Sequence, residues 1–163
     1  MYNLVVYGSL MNKKELQKEG ISLDDVVLVK VFGYKRVFNQ EPSYRMVNSV
    51  NRAVLTIGED NESWFNAIVI KNISAEYLSI LDKREIGYDQ YSFREGEVIS
   101  YDNEPLTNCI VYKGKIEKMS FNIQPNMEYL DICKETAKSF GDEFYEDFIN
   151  TTFKNSDGGL SLI

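Results

Sequence analysis

The chain has 163 residues, 44% hydrophobic and 26% charged, the balance of a globular protein with one real core. Its 18 Lys and Arg against 25 Asp and Glu give a net charge of −7, which argues against a nucleic-acid or anionic-membrane surface. With no histidine, Ser-His and Cys-His triads and the commonest metal ligand are excluded. Cys109 and Cys133 lack C-x-x-C spacing, so two free thiols are expected rather than a zinc site or a disulfide framework. Asn3 interrupts the short apolar start, which has no basic flank, and no run reaches the length of a membrane span. A cytoplasmic protein without a membrane partner is expected.

In chain order, Leu4 to Tyr7 reads as a buried strand that Gly8 ends. Asn12, with Glu15 three residues on, caps a short helix that Gly20 closes. Val26 to Phe38 reads as strand, and Asn39 to Ser43 as loop. Ala53 to Ile57 and Trp64 to Ile70 read as a hairpin turning at Gly58-Glu59-Asp60-Asn61, with Trp64 in the core. Ser74 caps a helix whose Tyr77, Leu78 and Leu81 share a face, and Gly87 closes that segment. Tyr91 to Ile99 and Thr107 to Tyr112 are strands. Helices follow Pro125 and run over Glu143 to Thr151, and the tail from Asn155 to Ile163 is expected to be loosely held. Roughly six strands with helices gathered late predict an α+β fold, in one domain over residues 1–163, around a strongly curved or barrel-like mixed sheet.

Two stretches carry chemistry. In Tyr7-Gly8-Ser9-Leu10 a glycine ends a strand, where it permits positive φ and close approach to the backbone. The N–H groups that follow are free to meet an anion or a developing oxyanion. In Leu81-Asp82-Lys83-Arg84-Glu85, Glu85 follows an apolar helix face and is surrounded by Ile86, Tyr88 and Tyr91. Desolvation there would raise its proton affinity toward that of a general acid/base. Each stretch also has a plain reading, an ordinary strand turn and a solvated helix-end carboxylate.

Together, in this order, the two stretches with Gly87-Tyr88 resemble the gamma-glutamylcyclotransferase family. The C-terminal Pro125…Tyr129-Leu130-Asp131, Ala137, Gly141 and Phe144-Tyr145-Glu146-Asp147-Phe148 extend the similarity over most of the chain. The resemblance implies a small mixed β-barrel with flanking helices and a small-molecule γ-glutamyl substrate held by the Tyr7–Leu10 loop. It also implies Glu85 as the catalytic general acid/base and release of 5-oxoproline without metal or cofactor. Tyr88, Tyr91 and Tyr129 are the candidate pocket wall, although for any one of them packing, with its hydroxyl satisfied elsewhere, is the better reading. Arg84 and Arg52 are ambiguous between a substrate carboxylate and a surface ion pair. Where many relatives carry a glycine, this chain has Phe65-Asn66-Ala67, a bulkier stretch expected to narrow or reshape the site and so to bear on substrate identity more than on fold. The segment from Gln40 to Ser49 and the tail would border the leaving amine, which nothing in the sequence identifies. The alternative is a non-catalytic small-molecule-binding module on the same fold. No sustained heptad pattern speaks to oligomeric state.

Overall fold

The structure, a computed structural model, describes residues 1–43 and 49–163. Its spine is a pair of long antiparallel strands, β2 (Val26–Gln40) and β3 (Asn51–Ile73). Val26 to Phe32 pair with Ile70 to Trp64, and Tyr34 to Phe38 pair with Glu59 to Leu55. Between the two registers Gly33 takes a φ of +90° and the residues around Asn61 bulge from β3. A bulge of this kind bends the strand pair. The expected hairpin at Gly58–Asn61 is therefore absent. Ala53–Ile57 and Trp64–Ile70 are two parts of one strand, and both pair with β2. Gly58 to Asn61 carries turn chemistry, but the neighbouring strand was long enough to bridge it.

Strand β1 (Tyr2–Val6) lies between β3, antiparallel, and β6 (Cys109–Gly114), parallel. Neighbours on both edges account for its apolar run, in which Leu4, Val5 and Val6 are all buried. β4 (Tyr88–Ser92) pairs with β6, β5 (Val98–Ser100) with β2, and β7 (Gln124–Pro125) with β3. β8 (Thr152–Ser156) adds parallel to β2, and β9 (Gly159–Leu162) pairs with β8. The sheet thus runs β4-β6-β1-β3-β2-β8-β9 and is not closed. The α+β class holds, with a mixed sheet that is barrel-like only in a loose sense.

Helix α1 (Lys13–Lys18) is capped by Asn12, which accepts from the amides of Lys14 and Glu15. Glu15 does not reach back to complete the capping box and pairs instead with Lys18 at 3.2 Å. α2 (Ala75–Arg84) is capped by Ser74 and buries Leu78 and Leu81. α3 (Met127–Lys138) and α4 (Asp142–Asn150) pack on each other and on the sheet through Leu130, Cys133, Ala137, Phe144 and Phe148. No helix among the described residues is long and apolar enough to cross a membrane.

The tail joins the sheet: Asn155 and Ser156 end β8 and pair with Leu160 and Gly159 of β9, and the buried Asn155 side-chain amide donates to the carbonyls of Ser120 and Ile123, both at 2.9 Å. The tail's few large apolar residues concealed this, because it is held by ladder bonds and buried polar side chains. Removing residues 152–163 is expected to cost at least about 3 kcal/mol, since hydrogen bonds contribute about 1 kcal/mol each. That corresponds to a melting temperature roughly 6–12 °C lower in thermal denaturation.

Candidate active site

The C-terminal end of β1 opens onto a cavity of about 540 Å³. Tyr7, Gly8, Ser9 and Leu10 line it together with Glu85, Tyr88, Tyr112 and Tyr129, and Arg84 and Ile86 are among the other residues that border it. The structure therefore brings Glu85, the four loop residues, Tyr88 and Tyr129 around one space. It does not bring Tyr91 there. Side chains alternate across a strand, and Tyr88 and Tyr91 stand three residues apart in β4, so they point to opposite faces. The Tyr91 hydroxyl accepts from Tyr34 at 2.9 Å, and its ring stacks edge-on to Tyr34 and Phe93.

Glu85 is the residue at which α2 stops: its amide donates to Leu81 at 2.8 Å, and its carbonyl accepts from the Tyr88 amide at 3.2 Å. Gly87, at a φ of +89°, turns the chain back into β4. Three bonds pin that turn. Gln40 Nε2 and the Lys115 amide donate to the Gly87 carbonyl at 3.1 and 2.9 Å, and the Ser43 hydroxyl donates to Ile86 at 2.7 Å. Asn39 and Gln40, expected in a loop, belong to β2, which carries Gln40 to this position. The Glu85 side chain is half-buried and makes no hydrogen bond among the described residues. Burial lifts its carboxyl above the usual range, and the neighbouring Arg84 charge opposes this. Arg84 itself pairs with Glu19 at 3.3 Å, whereas Arg52 is held by both Glu41 oxygens at 2.7 Å.

The phenol hydrogens are already committed. Tyr7 donates to the Tyr112 carbonyl at 2.7 Å, Tyr88 to the Leu55 carbonyl at 2.7 Å, and Tyr112 to Asp82 Oδ1 at 2.6 Å. Tyr129 shares hydrogen bonds with Ser9 and Cys133. A phenol has one hydrogen to give, so Tyr7 and Tyr88 offer the cavity only acceptor lone pairs. Burial holds all four phenols well above their ordinary titration range. An acceptor-rich wall next to a carboxyl suits a ligand amine.

Donors come from the backbone opposite. Among the described residues the amides of Gly8 and Leu10 donate to no protein acceptor, and the Ser9 amide lies against the Cys133 thiol. Gly8 is required for space rather than for left-handed backbone, because its φ is −136°. A Cβ there would stand 3.1 Å from the Tyr129 hydroxyl and 3.2 Å from Leu55 Cδ1. Gly8→Ala is expected to move Tyr129 into the cavity and lower turnover at least tenfold, with about 1–3 kcal/mol of overpacking cost measurable in urea unfolding.

Behind the loop lies Arg36, which sequence reading passed over. It is fully buried and makes six hydrogen bonds. These reach Thr152 Oγ1 (2.8 Å), the carbonyls of Tyr7 (3.1 Å), Asn66 (2.6 Å) and Phe148 (3.5 Å), Asn66 Oδ1 (2.7 Å) and Thr151 Oγ1 (3.1 Å). Burial lowers its proton affinity to about 9, so the guanidinium stays charged at neutral pH. The cue in the sequence was strand alternation, which places Arg36 on one face with the aromatics Tyr34 and Phe38. Asn66 also finds its role here. It holds Arg36 and donates to the Phe144 carbonyl at 2.7 Å, so the Phe65-Asn66-Ala67 stretch lies behind the cavity lining and not in it. Trp64 is half-buried and stacks near Phe32 under the Lys30 ammonium rather than in the core. Cys109 and Cys133 are buried free thiols, pushed up to about 11 and about 12. Of the segment expected to border the leaving amine, residues 44–48 lie outside the described residues, and Pro42 and Ser43 reach the cavity.

The fold is similar to that of solved gamma-glutamyl cyclotransferases. A solved gamma-glutamyl cyclotransferase matches with a TM-score of 0.66 and 16% identity, over 90% of this chain and 85% of that one. The yeast gamma-glutamyl cyclotransferase specific to glutathione matches at 0.60 and 14%, over 92% and 94%. YkqA from Bacillus subtilis matches at 0.68 and 20% over 89% of this chain, which spans about half, 51%, of the YkqA chain. At these identities the likeness is one of fold. No family model and no curated protein matches by sequence.

Proposed function

We propose that the chain is a γ-glutamyl cyclotransferase-type enzyme, releasing 5-oxoproline from a γ-glutamyl amine or γ-glutamyl peptide. One observation carries this reading: a half-buried carboxyl of raised proton affinity, Glu85, shares a cavity with the unpaired amides of the Tyr7–Leu10 loop.

The substrate's α-amine attacks its own γ-carbonyl carbon, so the protein chiefly has to hold a folded conformer. Orientation of this kind contributes up to about 7–11 kcal/mol in favourable systems. Tyr7 and Tyr88 accept from the amine, and Glu85 takes a proton from it as the ring C–N bond forms. Glu85 returns that proton to the departing nitrogen as the old C–N bond breaks. The loop amides hold the substrate's anionic groups.

The test is 5-oxoproline release, followed by chromatography, from γ-glutamyl-α-amino acids, γ-glutamyl-ε-lysine and glutathione. Release from at least one, dependent on Glu85, is the expected result. Saturable binding of these compounds without release would favour a binding module instead.

A further inference from the structure

We propose that Arg36 is a positioning residue that sets the candidate site's affinity for the substrate α-carboxylate, acting through the Tyr7–Gly8 peptide. This rests on the cyclotransferase reading above and says which group the loop holds.

Most side-chain donors around the cavity are already committed. Ser43 gives its hydroxyl hydrogen to Ile86, Tyr7 to Tyr112, Tyr88 to Leu55 and Tyr112 to Asp82. Ser9 and Tyr129 are engaged with each other. Arg84 is paired with Glu19. Among the described lining residues, the amides of Gly8 and Leu10 have no protein acceptor, nor do those of Ser43 and Ile86, and of these the Gly8 amide belongs to the peptide whose carbonyl Arg36 holds. A γ-glutamyl group brings one permanent anion, its α-carboxylate, and a desolvated carboxylate requires donors.

Arg36 also brings charge to the back of the loop. Arg36 spends its hydrogens on carbonyls, hydroxyls and an amide oxygen, with no carboxylate among them, so its charge is spread over dipoles and not cancelled. Nη1 donates to the Tyr7 carbonyl at 3.1 Å. The Tyr7–Gly8 peptide is trans, so its N–H points away from its C=O, on the side opposite Arg36. Gly8 lines the cavity. A cation on the carbonyl end polarises the amide and strengthens its N–H as a donor, an effect enlarged by low dielectric. Arg36 therefore acts on the cavity without touching what sits in it.

The experiment compares binding of 5-oxoproline with that of its carboxamide, which has the same ring and no charge. Wild-type protein is expected to prefer the acid by about tenfold or more, the worth of a charge-assisted hydrogen bond. Arg36→Lys is expected to keep most of that preference. Arg36→Met, measured at a temperature where circular dichroism shows it folded, is expected to lose it. A role confined to packing would weaken both ligands alike and leave the ratio unmoved. In wild-type protein the Gly8 amide proton is expected to shift downfield with the acid and not with the carboxamide, a readout that needs no variant. An unmoved Gly8 resonance, or an acid preference that survives Arg36→Met but disappears in Arg84→Met, overturns the inference and leaves the cyclotransferase reading standing. Wild-type protein that binds neither ligand and releases no 5-oxoproline overturns both.

Discussion

Glu85→Gln is expected to lose 5-oxoproline release by about 10²–10⁴-fold, the usual range for a positioned acid/base, while melting no lower than wild type at pH 7. Gln keeps the shape and removes the proton chemistry. The stability half follows from linkage. Burial raises the folded-state proton affinity of Glu85 above the ordinary value near 4.3. Well below that value the folded and unfolded chains both hold the proton, and the group has no effect. As pH climbs through it the unfolded chain ionises first, so folding loses stability until the raised value is passed. The penalty then persists to neutral pH. The melting advantage of the Gln variant should therefore be absent in acid and present at pH 7. Turnover in wild type should rise with pH through the same raised value, because the base form does the work. A Gln variant that turns over normally sinks the mechanism, and one that melts lower at pH 7 than wild type contradicts the desolvation argument.

Arg36→Met is expected to destabilise the protein by about 3 kcal/mol, or roughly 6–12 °C in melting temperature. Thr151 and Thr152 lose a donor, yet their hydroxyls still donate to the carbonyls of Asp147 and Phe148, each at 2.6 Å. The Tyr7 carbonyl and both Asn66 oxygens lose Arg36 outright in a dry interior. Orphaned buried acceptors cost about 1–3 kcal/mol each, and relief from burying a charge offsets part of the sum. Arg36 joins β2, the end of β1, β3, the end of α4 and the start of β8, so the loss falls on the contacts that place the Tyr7–Leu10 loop. Thermal melts of the Met and Lys variants check this. Equal melting of the Met variant and wild type would mean that the burial cost of the charge cancels its six bonds.

Much of the site was legible from the chain itself, for local reasons. An apolar run ending in Gly8, a Ser74 cap and a Gly87 stop are written in neighbouring residues, because turn geometry and capping involve residues one to four apart. Those same signals located Glu85 at a helix end and the 7–10 loop at a strand end. That the two would face one another was carried only by the resemblance. What sequence could not separate was one long strand from a hairpin at Gly58–Asn61, or a loose tail from one held in a sheet. Those outcomes depend on partners far along the chain, β2 in both cases.

Composition, the α+β class, the cap and stop residues and the two chemical stretches were therefore determined by the sequence alone. Tertiary structure decided which side chains share the cavity. It excluded Tyr91 by strand alternation, added Tyr112 from a strand parallel to β1, and set a charged guanidinium beneath the loop. The physical reason is range: backbone propensity acts between near neighbours, whereas burial, hydrogen-bond partnership and the electrostatics of a cavity are properties of groups brought together by folding.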